Sequence, residues 1–362
     1  MDTTGGARIA RRFLADRARV GTIIDRTLVG LAIAAFVGAL IWTVALNGVD
    51  PRGWEWFVVS GVALLLVCLL ANLGQEDRVF GVLRRLVRQG VVRSAEPEDA
   101  VDAVAAQMLR RWPYTAGVTF AAFVVLMALL WFLAFGRWPF GNGGFWVELV
   151  LAGIAGVAVG RMIAFGGLGS AIRRAKLDVT PIPGHVDGAA GLRSIGWLYL
   201  RQATIVAALT IYAGFWWLMF PTYADGAYAH WSDPYLLLML IGIVAEVLVC
   251  VLPLWAFHRI MVAEKAGNAQ AADQQAVKID RLRAARRTGD QAEQERIDAE
   301  IAALSVAWND IETMPVWPLD VRVRRRLTVN NLLVLLPLAL NAIAPGGWGQ
   351  DVLEAFQGLA SG

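Results

Sequence analysis

Charge is scarce in this sequence, and it is missing in blocks. Asp, Glu, Lys and Arg make up 17% of the 362 residues, against about 25% in an ordinary soluble domain. With 57% hydrophobic residues and a mean hydropathy of +0.53, such gaps mark membrane spans and not an unusually apolar core. Cysteine is nearly absent. Cys68 and Cys250 both lie in apolar runs, which excludes a disulfide framework and a cysteine-based metal site. Lysine is confined to Lys176, Lys265 and Lys278, an arginine bias expected of a GC-rich bacterial genome. Only three histidines occur, few for a metal centre with fixed ligand spacing. The net charge of +3 is too small to argue for nucleic acid. No phosphate-binding Gly-x-x-x-x-Gly-Lys loop, His-Glu-x-x-His pair or Gly-x-Ser-x-Gly elbow is present, so no cofactor, metal or catalytic residue is expected from motif. Potassium-filter, voltage-sensor and inverted-repeat patterns are also missing.

What is present is long apolar runs. A membrane helix needs about 20 mostly apolar residues, and residues 27–46, 54–73, 114–135, 145–165, 195–220 and 235–257 qualify. A seventh run, 327–344, is shorter and interrupted by Pro337. The expected fold is an all-α polytopic bundle of six clear spans plus this short last segment, with helical hairpins between them. Arginine and lysine set the orientation: 31 of the 33 fall before residue 27 or within 75–113, 161–201 and 257–326. Arg52 and Arg137 are the two on the other side. The N-terminus is therefore expected in the cytoplasm of a bacterial cell, in the plasma membrane. Without a cleavage site, the first run is expected to stay as span one. Trp42, Trp54, Trp56, Trp138, Trp146, Trp216, Trp217 and Trp231 gather near the predicted outer boundary, as interfacial anchors would.

The segments between spans have their own patterns. Residues 1–26 place Ile9, Phe13 and Leu14 among arginines, which fits a helix lying on an anionic leaflet or a plain lead-in that fixes orientation. In 75–113, Val79, Val82, Leu83, Leu86 and Val87 recur at helical spacing. A second helix start follows at Ser94 and Pro97, and this hairpin is expected to end where Pro113 introduces the next span. Within 261–312, Ile297, Ile301, Leu304, Trp308 and Ile311 recur as an a/d seam. Ala266, Ala269, Ala276, Ile279 and Leu282 supply a weaker counterpart before the break at 288–290. An antiparallel hairpin follows, packed on itself or presenting its seam to a cytoplasmic protein partner.

Five features bear on function. Glu246 lies near the middle of the 235–257 run, where an ionised carboxylate costs several kcal/mol unless it faces protein or water. It reads as a pathway acid or as a structural bond to a neighbouring helix, with Pro253 expected to bend the helix nearby. Asn330, Asn331 and Asn341 bracket Pro337, as in a broken segment beside a cavity or a marginal terminal helix. Ala152, Gly156 and Gly160, with Gly153, form a small-residue stripe for close helix packing, within the chain or in a homo-oligomer. Glu148, near the outer end of the same run, and Arg161, Arg201 and His258 at inner ends are placed to reach water. Finally, residues 178–196 carry His185, Asp187 and Arg193 among Pro181, Pro183, Gly184 and Gly188. That set is either a weak candidate site or a loop with Asp187 capping a turn.

The string HVDGAAGL at 185–192 resembles the His-Pro-Asp-x-Ala-Gly-Gly-Leu loop of poorly characterised bacterial multi-pass membrane proteins. Val186 stands where that pattern has proline, and Ala190 where it has glycine. The resemblance implies a signature loop and no activity. The leading functional expectation is a transport or channel-like protein for ions or small solutes, with Glu246 and the last segment lining the path. The alternative is a membrane-anchored scaffold acting through the 261–312 hairpin. A lipid-directed enzyme rests only on His185 with Asp187 and is disfavoured.

Overall fold

The computed structural model describes residues 22–23, 26–41, 43–45, 56–94, 96–288 and 290–343. The predicted N-terminal helix, Trp42, Trp54 and the Gly289 break lie outside these residues. The chain is an all-α, multi-pass membrane bundle: seven described helices are long and apolar enough to cross a membrane. They are α1 (Arg26–Ala45), α2 (Trp56–Asn72), α4 (Pro97–Phe135), α5 (Gly143–Gly166), α7 (Arg193–Met219), α8 (Ser232–Arg286) and α10 (Val321–Ile343). Between them lie α3 (Gln75–Arg88), α6 (Leu168–Arg174) and α9 (Gln291–Glu312). A two-stranded antiparallel clip joins β1 (Val92–Arg93) to β2 (Asp178–Val179), with Val92 opposite Val179.

Local chemistry sets the helix ends. Gly74 turns left-handed (φ 64°) between α2 and α3, a conformation glycine takes without steric cost. The Asn142 side chain accepts from Gly144 N (2.8 Å) to start α5. Asp290 Oδ1 accepts from Glu293 N (2.9 Å) to start α9. Asp320 Oδ1 does the same for Val323 N (2.7 Å) at α10. Each satisfies an amide that the first helical turn leaves without a partner.

Pro113 and Pro337 behave otherwise than predicted. Pro113 does not divide a hairpin from a span, because α4 runs through it for 39 residues. Pro253 lies inside a 55-residue α8, about 80 Å at 1.5 Å per residue, enough to cross a bilayer and continue well beyond. Pro337 lies inside a continuous α10, so the last segment is not broken. Its ring fills the space beside Gly214, where a β-carbon would sit 2.7 Å from Pro337 Cγ. Neighbouring helices can support a proline that an isolated helix would not tolerate.

Packing is densest at the arginine-rich end. Leu83, Leu86, Met108, Phe165, Leu168, Ile195, Tyr199 and Phe257 are fully buried there and join α3, α4, α5, α6, α7 and α8. Midway along α4, by contrast, Val118 and Val125 are exposed at 51% and 66%, as expected where the surrounding solvent is hydrocarbon. At the other end Phe57, Trp131, Phe145, Trp216, Phe220 and Trp231 form a second core. Trp216 and Trp231 are therefore packed inside, at 5% exposure each, while Trp56, Trp138 and Trp146 keep the outward placement predicted for all of them. Beyond the bundle, α8 and α9 form the antiparallel hairpin. Lys278 meets Glu300 at 2.7 Å, and Arg286 meets Asp298 at 2.7 Å. Ile279 and Ile297 are buried in its seam, but Trp308 remains 37% exposed.

Candidate functional site

The motif-like loop is built around one carboxylate. Asp187 Oδ1 accepts from Ala189 N and Gly191 N, both at 2.9 Å, and Oδ2 accepts from Arg193 N at 3.2 Å. The last of these bonds sits at the start of α7, where a negative charge is favoured by the helix dipole. His185 Nδ1 lies 3.0 Å from Asp187 Oδ1. Arg193 turns away and pairs through Nε with Asp320 Oδ2 at 2.9 Å, tying α7 to α10. Ala190 is left-handed (φ 54°), which glycine would adopt more readily; this is the position where the resembling pattern has glycine. Among the described residues no group of three or more His, Cys, Asp or Glu side chains is placed to hold a metal. The geometry is that of a rigid turn capping a helix.

Burial alone would raise the pKa of Asp187. The hydrogen bonds from Gly191, Ala189, Arg193 and His185 outweigh it and hold the carboxyl below the usual carboxylate range. A depressed carboxyl contributes stability above its unfolded pKa and loses it as pH falls through the folded one. Asp187→Asn is therefore expected to lower stability near neutral pH by about 1–3 kcal/mol. The gap to wild type should close below about pH 4. Unfolding midpoints of both proteins across this pH range check it; a gap that stays constant would mean that charge at Asp187 does not matter.

The intramembrane candidates separate. Glu246 is 2% exposed, and its Oε1 has no hydrogen-bond partner. It lies on α8 one turn after Gly242, and α8 packs antiparallel on α7 where Gly214 meets Met239 and Gly242 meets Thr210. Gln202 on α7, a residue the sequence reading passed over, is 4% exposed with Nε2 unpartnered. Relative to the Thr210 contact, Glu246 and Gln202 both lie toward the arginine-rich end. Asn330 Nδ2 donates to Thr204 Oγ1 on α7 at 2.9 Å. Asn331 is exposed and Asn341 half-buried, so the three asparagines do not gather at one point. No known family model, curated protein or solved structure matches this chain.

Three other residues find partners instead of water. Arg161, predicted to reach the surface, is 3% exposed and meets Glu76 Oε1 at 3.0 Å. His258 lies 2.6 Å from the Val316 carbonyl oxygen and stacks on Trp317, tying α8 to the segment that leaves α9. Glu148 accepts from Trp131 Nε1 at 2.7 Å. Ala152, Gly156 and Gly160 face α4, where Thr119 Oγ1 donates to the Gly156 carbonyl (2.6 Å) and Thr115 Oγ1 to the Gly160 carbonyl (2.9 Å).

Proposed function

We propose that this is a membrane transport or channel-like protein for ions or small solutes, with Glu246 on its pathway. The observation that carries the reading is the buried Glu246 carboxyl on α8, whose Oε1 has no partner; a second unpartnered amide, Gln202, is buried on α7 beside Gly166 of α5. Two unmet polar groups at membrane depth are expensive for a fold and useful to a permeating ion or proton. In this reading the chain sits in a bacterial plasma membrane with its arginine-rich end in the cytoplasm, by the bias of 31 of 33 basic residues.

Ion and proton flux into liposomes, compared for wild type and Glu246→Gln at several pH values, tests it. The mutant is expected to lose about tenfold or more of the flux, equivalent to about 1.4 kcal/mol of barrier, while its unfolding midpoint stays close to wild type. A second reading is supported by Val306 and Trp308, exposed at 63% and 37% on α9: a scaffold that recruits a protein through the hairpin. Absent flux in folded wild type would sink the transport reading and leave the scaffold; flux indifferent to Glu246→Gln would take Glu246 off the pathway.

A further inference from the structure

A cleft of about 1660 Å³ opens at the arginine-rich end between α3, α7 and α10, and eight arginines line it. The positive-inside bias explains why arginines are on this side. It does not explain why three helices converge them on one concavity. Among the described residues, Asp187 is the only carboxylate in the lining, and its oxygens are already taken by three backbone amides and His185.

The arginines fall into two kinds. Some are fixed by the protein. Arg78 Nη1 and Arg201 Nη2 both donate to the Ala71 carbonyl oxygen, at 3.1 and 2.7 Å, so two guanidinium groups crowd one acceptor at the end of α2. Arg193 is paired with Asp320, and Arg326 lies over the Trp197 ring at 4.7 Å. Arg88 Nε donates to the Arg84 carbonyl oxygen at 3.4 Å, and the others have no acidic partner among the described residues: Arg85 on α3, and Arg322 and Arg325 on the first turns of α10. Arg85, Arg322 and Arg325 are exposed; like charges gathered in one concavity repel one another, and an anion relieves that repulsion. Planar guanidinium groups supply paired donors matched to phosphate oxygens. Leu198, Leu200, Ile205 and Val329 give the cleft an apolar wall, broken by Thr204 and Asn330, which continues along α7 and α10 into their membrane-spanning parts.

We propose that this cleft binds a phosphate oxyanion through Arg85, Arg322 and Arg325, with the apolar wall suited to the acyl chain of an anionic phospholipid. The site is independent of any transport through Glu246. Phosphate could also arrive on a soluble molecule, so the test has two arms. In the first, protein in nanodiscs of phosphatidylcholine with a minor fraction of phosphatidylglycerol is released and examined by native mass spectrometry. Wild type is expected to retain phosphatidylglycerol over phosphatidylcholine. The Arg322→Gln, Arg325→Gln pair should lower that retention about tenfold, the factor expected for losing charge-assisted hydrogen bonds. Arg281→Gln with Arg287→Gln removes the same charge from the hairpin, where both side chains are exposed, and should change retention less than about twofold. Arg85→Gln, on a different helix, repeats the test should the α10 pair fail to fold. In the second arm, inorganic phosphate and glycerol phosphate are titrated onto protein in detergent. Binding that the same cleft variants weaken would assign the site to a soluble oxyanion. Equal effects of the cleft and hairpin pairs, or no binding in either arm, would overturn the proposal.

Discussion

Replacing Arg161 by methionine is expected to destabilise the bundle by about 3–5 kcal/mol. Arg161 lies on α5 near the arginine-rich end, and its guanidinium meets Glu76, the second residue of α3, at 3.0 Å. The side chains are 3% and 11% exposed. Arg161 also sits 5.6 Å from the centroid of the Trp112 ring on α4, so one cation links three helices. Methionine fills similar volume, but it leaves the Glu76 carboxyl without its counter-charge in a place that water barely reaches. The cost is that of an uncompensated buried group, not of a lost surface contact. The double variant Arg161→Met with Glu76→Leu separates the two. Removing both charges together should recover most of the loss, since well-packed apolar side chains often replace a buried pair at little cost. Unfolding in mixed micelles would measure all three variants and wild type. A double variant as unstable as Arg161→Met would mean that Arg161 acts through packing and the Trp112 ring, and that the ion pair contributes little.

That pair joins positions 85 residues apart, and this separation marks what could be seen in the sequence and what could not. Features governed by local chemistry were legible. The six long apolar runs coincide with helices, α3 buries Val79, Leu83 and Leu86 as their spacing requires, and the α8–α9 hairpin follows from the a/d seam. Proline was misleading because its effect depends on neighbours. Pro113 and Pro337 each remove a helical hydrogen bond, yet α4 and α10 run on through them. Polarity misled in the same way. An arginine near the end of a span has an inexpensive route to water, and only the tertiary fold shows that Arg161 takes Glu76 instead. Trp216 and Trp231 match the composition of an interfacial belt, but a cluster of aromatic rings encloses them, with Trp131 and Trp231 at 5.1 Å.

The candidate site divides along the same line. Asp187 as a cap was readable because its partners lie within six residues. The arginine cleft was not. Arg78, Arg85 and Arg88 lie on a short helix, and Arg322, Arg325 and Arg326 at the start of another. Each set alone reads as a topological signal. Their convergence depends on α3, α7 and α10 meeting, to which the Arg193–Asp320 pair and the Asn330–Thr204 bond contribute.

Introducing leucine at Gly156 should be strongly damaging, because it lies in the membrane part of the fold where α4 and α5 touch backbone to backbone. A β-carbon there would lie 2.6 Å from the Thr119 carbonyl oxygen and 2.8 Å from Phe120 Cα. Both obstacles are backbone, so no rotamer change removes them, and α4 and α5 have to separate. Separation also breaks the bonds from Thr119 to the Gly156 carbonyl and from Thr115 to the Gly160 carbonyl, two polar contacts across a seam with few alternatives in hydrocarbon. Overpacking alone costs about 1–3 kcal/mol, and each lost bond adds about 0.6 kcal/mol. Gly117, on α4, is the control: nothing lies within 4 Å of a β-carbon built there. Gly117→Leu should be neutral or slightly stabilising, since glycine is the poorer helix former. The pair also decides what the small-residue stripe is for. If its role is to hold α5 on α4, Gly156→Leu lowers the unfolding midpoint while the particle mass in light scattering is unchanged. A change in mass with an unaltered midpoint would move the stripe to a contact between copies of the chain.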